Sequence, residues 1–145
     1  ALGAMGLGFA QAMGAKLAFP DRQVVHLTGD GDFAMTAEDL ETCVREGINV
    51  VSVVLDDVGF NSLRTFQRHM YKGRIIGSEY RDVNLGALAE VYGALGERIT
   101  DPKALGPALR RMLEANRPAV LDVMIDPMQE PPRFFEIRKF LGLTK

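Results

Sequence analysis

Val24-Val25-His26-Leu27-Thr28-Gly29-Asp30-Gly31-Asp32 is the stretch that decides how this chain folds. A short apolar run ends abruptly in an acidic turn flanked by glycine. That pattern fits a buried strand of a parallel sheet opening onto the sheet's carboxyl edge, where ligands of such sheets bind. A second run, Asn49-Val50-Val51-Ser52-Val53-Val54-Leu55, ends the same way in Asp56-Asp57. The interval between the two acidic turns holds one helix and one return strand, so both carboxylates are expected at one edge of one sheet. Glycines beside them leave room for a phosphate-bearing ligand to approach the backbone. Together these features suggest a divalent metal holding a diphosphate.

Reading outward, strands and helices alternate. The opening, residues 1–18, carries Gly3, Gly6, Gly8 and Gly14 among Ala, Leu and Met and is expected as a closely packing helix, broken at Pro20-Asp21. Thr36 is expected to cap a helix over residues 37–46 with an apolar stripe of Leu40, Cys43 and Val44, ended by Gly47. Residues 62–80 are polar and basic, with Arg64, Arg68, Lys72 and Arg74, and suggest a short helix and a mobile, solvated loop. Asn84 caps a further helix, a short strand follows near residues 97–99, and residues 102–115 hold the i, i+3, i+4, i+7 pattern of a helix. Residues 119–125 form a last buried strand. The alternation predicts an α/β fold, a parallel sheet with helices on both faces. Pro131-Pro132 then starts a tail with an apolar set of Phe134, Phe135, Ile137, Phe140 and Leu141.

The bulk composition is that of an ordinary globular domain. The 145 residues are 47% hydrophobic and 25% charged with a net charge of −2, so nothing points to nucleic acid or an anionic membrane. A single cysteine, Cys43, excludes an internal disulfide and a cysteine-based metal cluster within this chain. No apolar stretch approaches the roughly 20 residues of a membrane span. The start lacks both a basic leader and an initiator Met, so a longer parent protein is expected, with a cytoplasmic location.

Several motif readings compete for Asp30-Gly31-Asp32. An EF-hand loop would place Glu41 correctly at its twelfth position, but Ala34 and Met35 stand where an oxygen ligand and a glycine are needed. A dinucleotide fingerprint lacks its third glycine, and no Gly-Lys-Ser/Thr segment offers a P-loop. An acidic turn facing solvent would be the ordinary reading of an isolated Gly-Asp-Gly. The second acidic turn at a matching sheet position weighs against it.

At this point the chain resembles the thiamine-diphosphate-dependent enzymes, whose cofactor motif runs from Gly-Asp-Gly to an Asn-Asn-type turn just under 30 residues later. Gly29-Asp30-Gly31 through Leu55-Asp56-Asp57 matches it. Gly3-Ala4-Met5-Gly6-Leu7-Gly8, Gly14-Ala15-Lys16-Leu17-Ala18, Pro20-Asp21-Arg22, Met35-Thr36, Leu88-Ala89-Glu90, Tyr92-Gly93-Ala94 and Arg117-Pro118-Ala119 are similar to the acetolactate synthase, pyruvate oxidase and 2-oxoacid decarboxylase branch. The resemblance covers residues 1–127. It implies a thiamine-diphosphate (PP) binding domain there, followed by a partly helical tail over residues 128–145.

The resemblance implies roles residue by residue. Asp30, Asp57 and the Gly59 carbonyl would bind Mg²⁺. The backbone N–H groups of Gly31 and Asp32, beside Gly29, would reach the diphosphate. Gly3 would accept from the cofactor's amino group and Met5 would lie under its thiazolium ring. Phe60, with Asn61, Leu63 and Gln67, would shape the pocket, and His69 is the candidate proton-transfer group. Asp stands at both turn positions where the family often has Asn, and Asp32 replaces a small residue. Implied too are a 2-oxo acid substrate, decarboxylation or carboligation as in a lyase or transferase, a homodimer or homotetramer, and a pyrimidine-binding domain that supplies the activating Glu. FAD elsewhere in the protein is left open. Two other classes stay open: the beta subunit of a 2-oxoacid oxidoreductase, and a non-catalytic assembly domain. His26, inside a strand, reads as a packed structural histidine and Cys43 as an inert core thiol.

Overall fold

The computed structural model describes residues 3–130 and residue 139. The expected apolar tail set, Phe134, Phe135, Ile137, Phe140 and Leu141, lies outside the described residues. Four strands form one all-parallel sheet, β1 (Val24–Gly29), β2 (Val50–Asp56), β3 (Leu95–Ile99) and β4 (Ala119–Met124), in the order β1-β2-β4-β3. Six helices accompany it among residues 3–130: α1 (Leu7–Ala18), α2 (Asp30–Phe33), α3 (Asp39–Glu46), α4 (Asn61–Met70), α5 (Leu85–Val91) and α6 (Pro102–Glu114). The strands and helices expected between residues 7 and 125 are present within a few residues of their predicted ends, and the partly helical tail expected over residues 128–145 lies largely outside the described residues.

The side chains of β2 and β4 alternate between two apolar layers, so these strands are buried on both faces. On one face Val50, Val54 and Val120 pack against Phe9 of α1, Leu40 and Cys43 of α3, and Leu85 and Ala89 of α5. On the other, Val51, Val53, Leu121 and Val123 pack against Ala108 and Met112 of α6. Each large side chain buried in this way stabilises the fold by about 1.5–3 kcal/mol. Asn84 and Asp101 cap α5 and α6 through their side chains, accepting from Ala87 and Lys103 N–H at 2.8 and 2.9 Å. Gly47 ends α3 in the left-handed region, at φ 64°.

Two local expectations need correction. The opening helix starts at Leu7, not at the chain's first residues, because Gly6 turns the backbone at φ 81°. Met5 therefore lies in a turn with Gly6, and Gly3 precedes it in irregular backbone. Thr36 does not cap α3, which begins at Asp39 with no side-chain cap. Consecutive turns, with Thr36 N–H donating to the Phe33 carbonyl and Asp39 N–H to that of Thr36, carry the chain from α2 into α3.

Candidate functional site

Both acidic turns lie at the carboxyl edge, Asp30 directly after β1 and Asp56-Asp57 at the end of β2. Register pairs Gly29 with Leu55, which brings the turns side by side. The Asp30 carboxylate ties them together. Oδ1 accepts from its neighbour Gly31 N–H at 2.9 Å, and Oδ2 accepts from Gly59 N–H of the other turn at 3.0 Å. An ionised carboxylate offers about four lone-pair sites, so two backbone bonds leave it able to meet a cation.

A cleft of about 440 Å³ opens over this junction. Its walls include Met5, Gly29, Asp30, Gly31, Asp32, Asp57, Gly59 and Phe60. With Asn61 and Leu63, also in the lining, ten of the thirteen residues singled out from the sequence thus meet in one place, and Gln67 is not among them. Gly3 is exposed and lies outside that lining. His69 lies outside it too, with Nε2 at 2.7 and 2.9 Å from the two carboxylate oxygens of Glu130. Against burial, which raises it, hydrogen bonds from His69 and Arg68 hold the Glu130 carboxyl below its ordinary range.

Two glycines are fixed by close approach. A Cβ on Gly31 would fall 2.6 Å from the Phe60 ring, and one on Gly59 would fall 2.5 Å from the Ser78 carbonyl. Phe60 in turn meets Tyr80 edge-on at 5.5 Å. Between Asp57 and Gly59, Val58 sits at φ 60°, a conformation that a β-branched residue adopts only under strain. Its N–H donates to Asp56 Oδ1 at 2.9 Å, so the turn is locked from inside.

Asp32 behaves differently from its neighbours. Its Oδ1 accepts from Gly6 N–H and its Oδ2 from the Thr28 hydroxyl, both at 2.5 Å. The side chain is thereby engaged with the glycine-rich turn, which it holds against the end of β1. That contact positions Met5 at the cleft. His26 is a packed core residue as expected, 6% exposed, stacked on Phe9 and 3.3 Å from the Ser52 hydroxyl. Burial pushes its pKa down, partly opposed by Asp32, and burial pushes the Cys43 thiol up to about 11.

Two arginines were not singled out as functional candidates. Arg64, expected in a solvated basic stretch, is 5% exposed on α4. Its Nη2 lies 2.8 Å from Asp57 Oδ1 and donates to the Asp57 carbonyl at 3.1 Å. Arg98 on β3 reaches Asp56 Oδ2 at 3.2 Å, Asp122 Oδ2 at 2.7 Å and Asp82 at 2.8 Å. Each acid of the turn therefore has its own guanidinium. Burial still dominates the acids' titration. It pushes Asp56 up to about 7, with Asp30 and Asp122 adding and the Val58 N–H opposing. It raises Asp57 as well, against the pull of Arg64. Tyr80 is raised by burial and by the neighbouring Asp30.

Among the described residues no cluster of three His, Cys, Asp or Glu side chains is placed to hold a metal. A cation here would need oxygens beyond the two carboxylates of Asp30 and Asp57, from the backbone and from the ligand itself. The residues present fit such a group. Asp57 brings a buried carboxylate, and Gly29, Gly31 and Gly59 bring backbone, to the same cleft as Asp30, an oxygen-rich donor set that suits a small divalent cation.

Fold and site together define an open parallel α/β domain with a cleft at the carboxyl edge of the sheet. More specifically, the chain belongs to the thiamine pyrophosphate enzymes, through their C-terminal TPP binding domain, whose family model matches residues 1–123. It is 34% identical over 127 residues to the catabolic acetolactate synthase of Raoultella terrigena, covering 88% of this chain and 22% of that protein. It is 36% identical over 132 residues to a probable acetolactate synthase large subunit of Methanococcus aeolicus, covering 87% and 21%. Among solved structures it superimposes on a thiamine diphosphate-dependent 4-hydroxybenzoylformate decarboxylase of Rhodococcus jostii RHA1 with a TM-score of 0.78 and 30% identity, over 84% of this chain and 23% of that one. The chain thus spans about a fifth of the length of these relatives. No helix among the described residues is long and apolar enough to cross a membrane.

Proposed function

We propose that this chain is the part of a thiamine-diphosphate- and Mg²⁺-dependent enzyme that holds the cofactor's diphosphate. The observation that carries the reading is the meeting of Asp30, Asp57 and Gly59 at one glycine-walled cleft, joined by the 3.0 Å bond from Gly59 N–H to Asp30. Asp30 and Asp57 would give Mg²⁺ a carboxylate oxygen each and Gly59 its carbonyl. Diphosphate oxygens and water would complete the octahedron this ion requires. The Gly31 N–H, expected at the diphosphate, instead donates to Asp30 Oδ1 at 2.9 Å, so the Asp32 N–H is the one that would reach the diphosphate while its carboxylate stays bound to Gly6 and Thr28. Met5, at the wall of the cleft, supplies the apolar support for the thiazolium ring.

When bound, thiamine diphosphate supplies the electron sink for carbon–carbon cleavage beside a carbonyl. This chain's share is to anchor, orient and exclude water. The reaction we infer is decarboxylation or carboligation of a 2-oxo acid, as the names of the relatives suggest. The domain spans residues 1–127 in this reading. The group that activates the cofactor comes from a pyrimidine-binding domain of the same or a neighbouring chain, in a cytoplasmic homo-oligomer. His69, held by Glu130, fastens the segment after β4 to α4. Calorimetric titration of the intact protein with thiamine diphosphate tests the reading: heat of binding in Mg²⁺ supports it, and its absence at high Mg²⁺ contradicts it.

A further inference from the structure

Arg64 is buried, yet neither the cofactor reading nor the core gives it a role. Its guanidinium touches two of the three groups assigned to the metal. Nη2 lies 2.8 Å from Asp57 Oδ1 and donates to the Asp57 carbonyl at 3.1 Å. Nη1 packs so close to Gly59 that a Cβ there would stand 2.9 Å from it. Arg64 does not line the cofactor cleft. It lines a separate cavity of about 320 Å³ with Val58, Glu79, Tyr80 and Ile125, and Asp57 is a wall of both spaces. The arginine therefore reaches Asp57 from behind, with the cleft on the other side of the carboxylate.

The arrangement is costly unless it serves something. Arg64 Nε is buried without a hydrogen-bond partner among the described residues, and a buried cation whose donors are only partly satisfied is destabilising compared with an apolar side chain of that size. A neutral Asn at position 57, frequent in the family, would need no cation beside it. With Asp there, a second buried carboxylate joins Asp30 at the same cleft, and like charges push each other out of a shared metal geometry.

We propose that Arg64 is a positioning residue for the metal: it holds the Asp57 carboxylate and the Gly59 backbone in their metal-binding placement before the cation arrives. The inference rests on the metal site proposed above. An arginine spans a carboxylate and a carbonyl at once, which lysine as a point charge does not. Removing such an outer partner of a ligand typically weakens metal binding roughly tenfold to a hundredfold.

The test is the Mg²⁺ concentration that half-saturates thiamine diphosphate binding, measured calorimetrically on the intact protein, with the unfolding midpoint of the metal-free protein recorded alongside. Arg64→Met is expected to raise that Mg²⁺ concentration at least about tenfold, with cofactor binding recovered at saturating Mg²⁺, and Arg64→Lys to fall between. In an Asp57→Asn background the effect of Arg64→Met should shrink to about twofold or less, because the charge that Arg64 serves is gone. An unchanged Mg²⁺ requirement in Arg64→Met, or an equal effect in both backgrounds, overturns the proposal even if the midpoint drops. Should Arg64→Met not fold, the Asp57→Asn/Arg64→Met pair decides: recovery of folding supports the coupling and continued failure overturns it. If the unsubstituted protein shows no Mg²⁺-dependent binding, the cofactor reading itself falls, and this proposal with it.

Discussion

Asp56→Asn should make the metal-free protein more stable at neutral pH, and increasingly so as pH rises. Asp56 is 2% exposed, and burial lifts its carboxyl from an ordinary 3.8 to about 7. A carboxyl raised in the folded state favours folding while it is protonated. That contribution is complete below the unfolded value and disappears as pH rises through the folded one. The window is therefore between about pH 4 and pH 7. A shift of about three units at 1.36 kcal/mol each gives a ceiling of about 4 kcal/mol. Arg98, 3.2 Å from the same carboxylate, works against the rise, so about 1–3 kcal/mol is the expected gain. The asparagine keeps an oxygen for the Val58 N–H, and Arg98 keeps Asp122 and Asp82. Urea unfolding of parent and variant across pH 4.5–8.5 (a range of about four units, chosen to bracket the window) reads the difference directly. A variant advantage that grows through this window and then levels supports the assignment. A difference that is flat, or largest at low pH, refutes it.

Two further substitutions probe the same turn. Val58→Gly removes a β-branched side chain from φ 60°, a strain of about 1–2 kcal/mol, against about 0.5–1 kcal/mol of added backbone entropy, so the urea midpoint of the metal-free protein should rise slightly; a clear fall would show that the turn is not strained there. Gly59→Ala should cost about 1–3 kcal/mol in the same assay, because its methyl group would press on the Ser78 carbonyl at 2.5 Å and on Arg64 at 2.9 Å. An unchanged midpoint would mean that the two turns are looser than their geometry indicates.

The parts of the site that could be read from the sequence are those set locally. An apolar run ending in Gly29-Asp30-Gly31 must leave a strand at a turn, and the same logic places Asp57, so the shared edge follows from period and spacing, whereas the strand order β1-β2-β4-β3 does not. Met5 and Gly3 came from a resemblance, and the structure brings only Met5 to the cleft. Arg64 and Arg98 were not legible in this way. Arg64, among other basic residues in a polar stretch, reads as solvated until α4 folds it back onto the turn just before it, and Arg98 meets Asp56 only through the pairing of β3 in the sheet. The one available signal was chemical: two adjacent aspartates at the end of a buried strand need cations from elsewhere in the chain. Thr36 fails as a cap for a similar reason, since turns set by the short α2 decide where α3 begins. Val58's backbone is invisible to propensity, because strain held by neighbours contradicts propensity by definition.

The account stands on Asp30 as the residue that joins the two turns and faces the metal. Calorimetric titration of the intact protein with thiamine diphosphate in excess Mg²⁺, comparing the parent with Asp30→Ala, tests it most directly. The account predicts saturable binding by the parent, lost on chelating the metal, and no binding by an Asp30→Ala protein that remains folded by circular dichroism. Metal-dependent binding retained in that variant would contradict it.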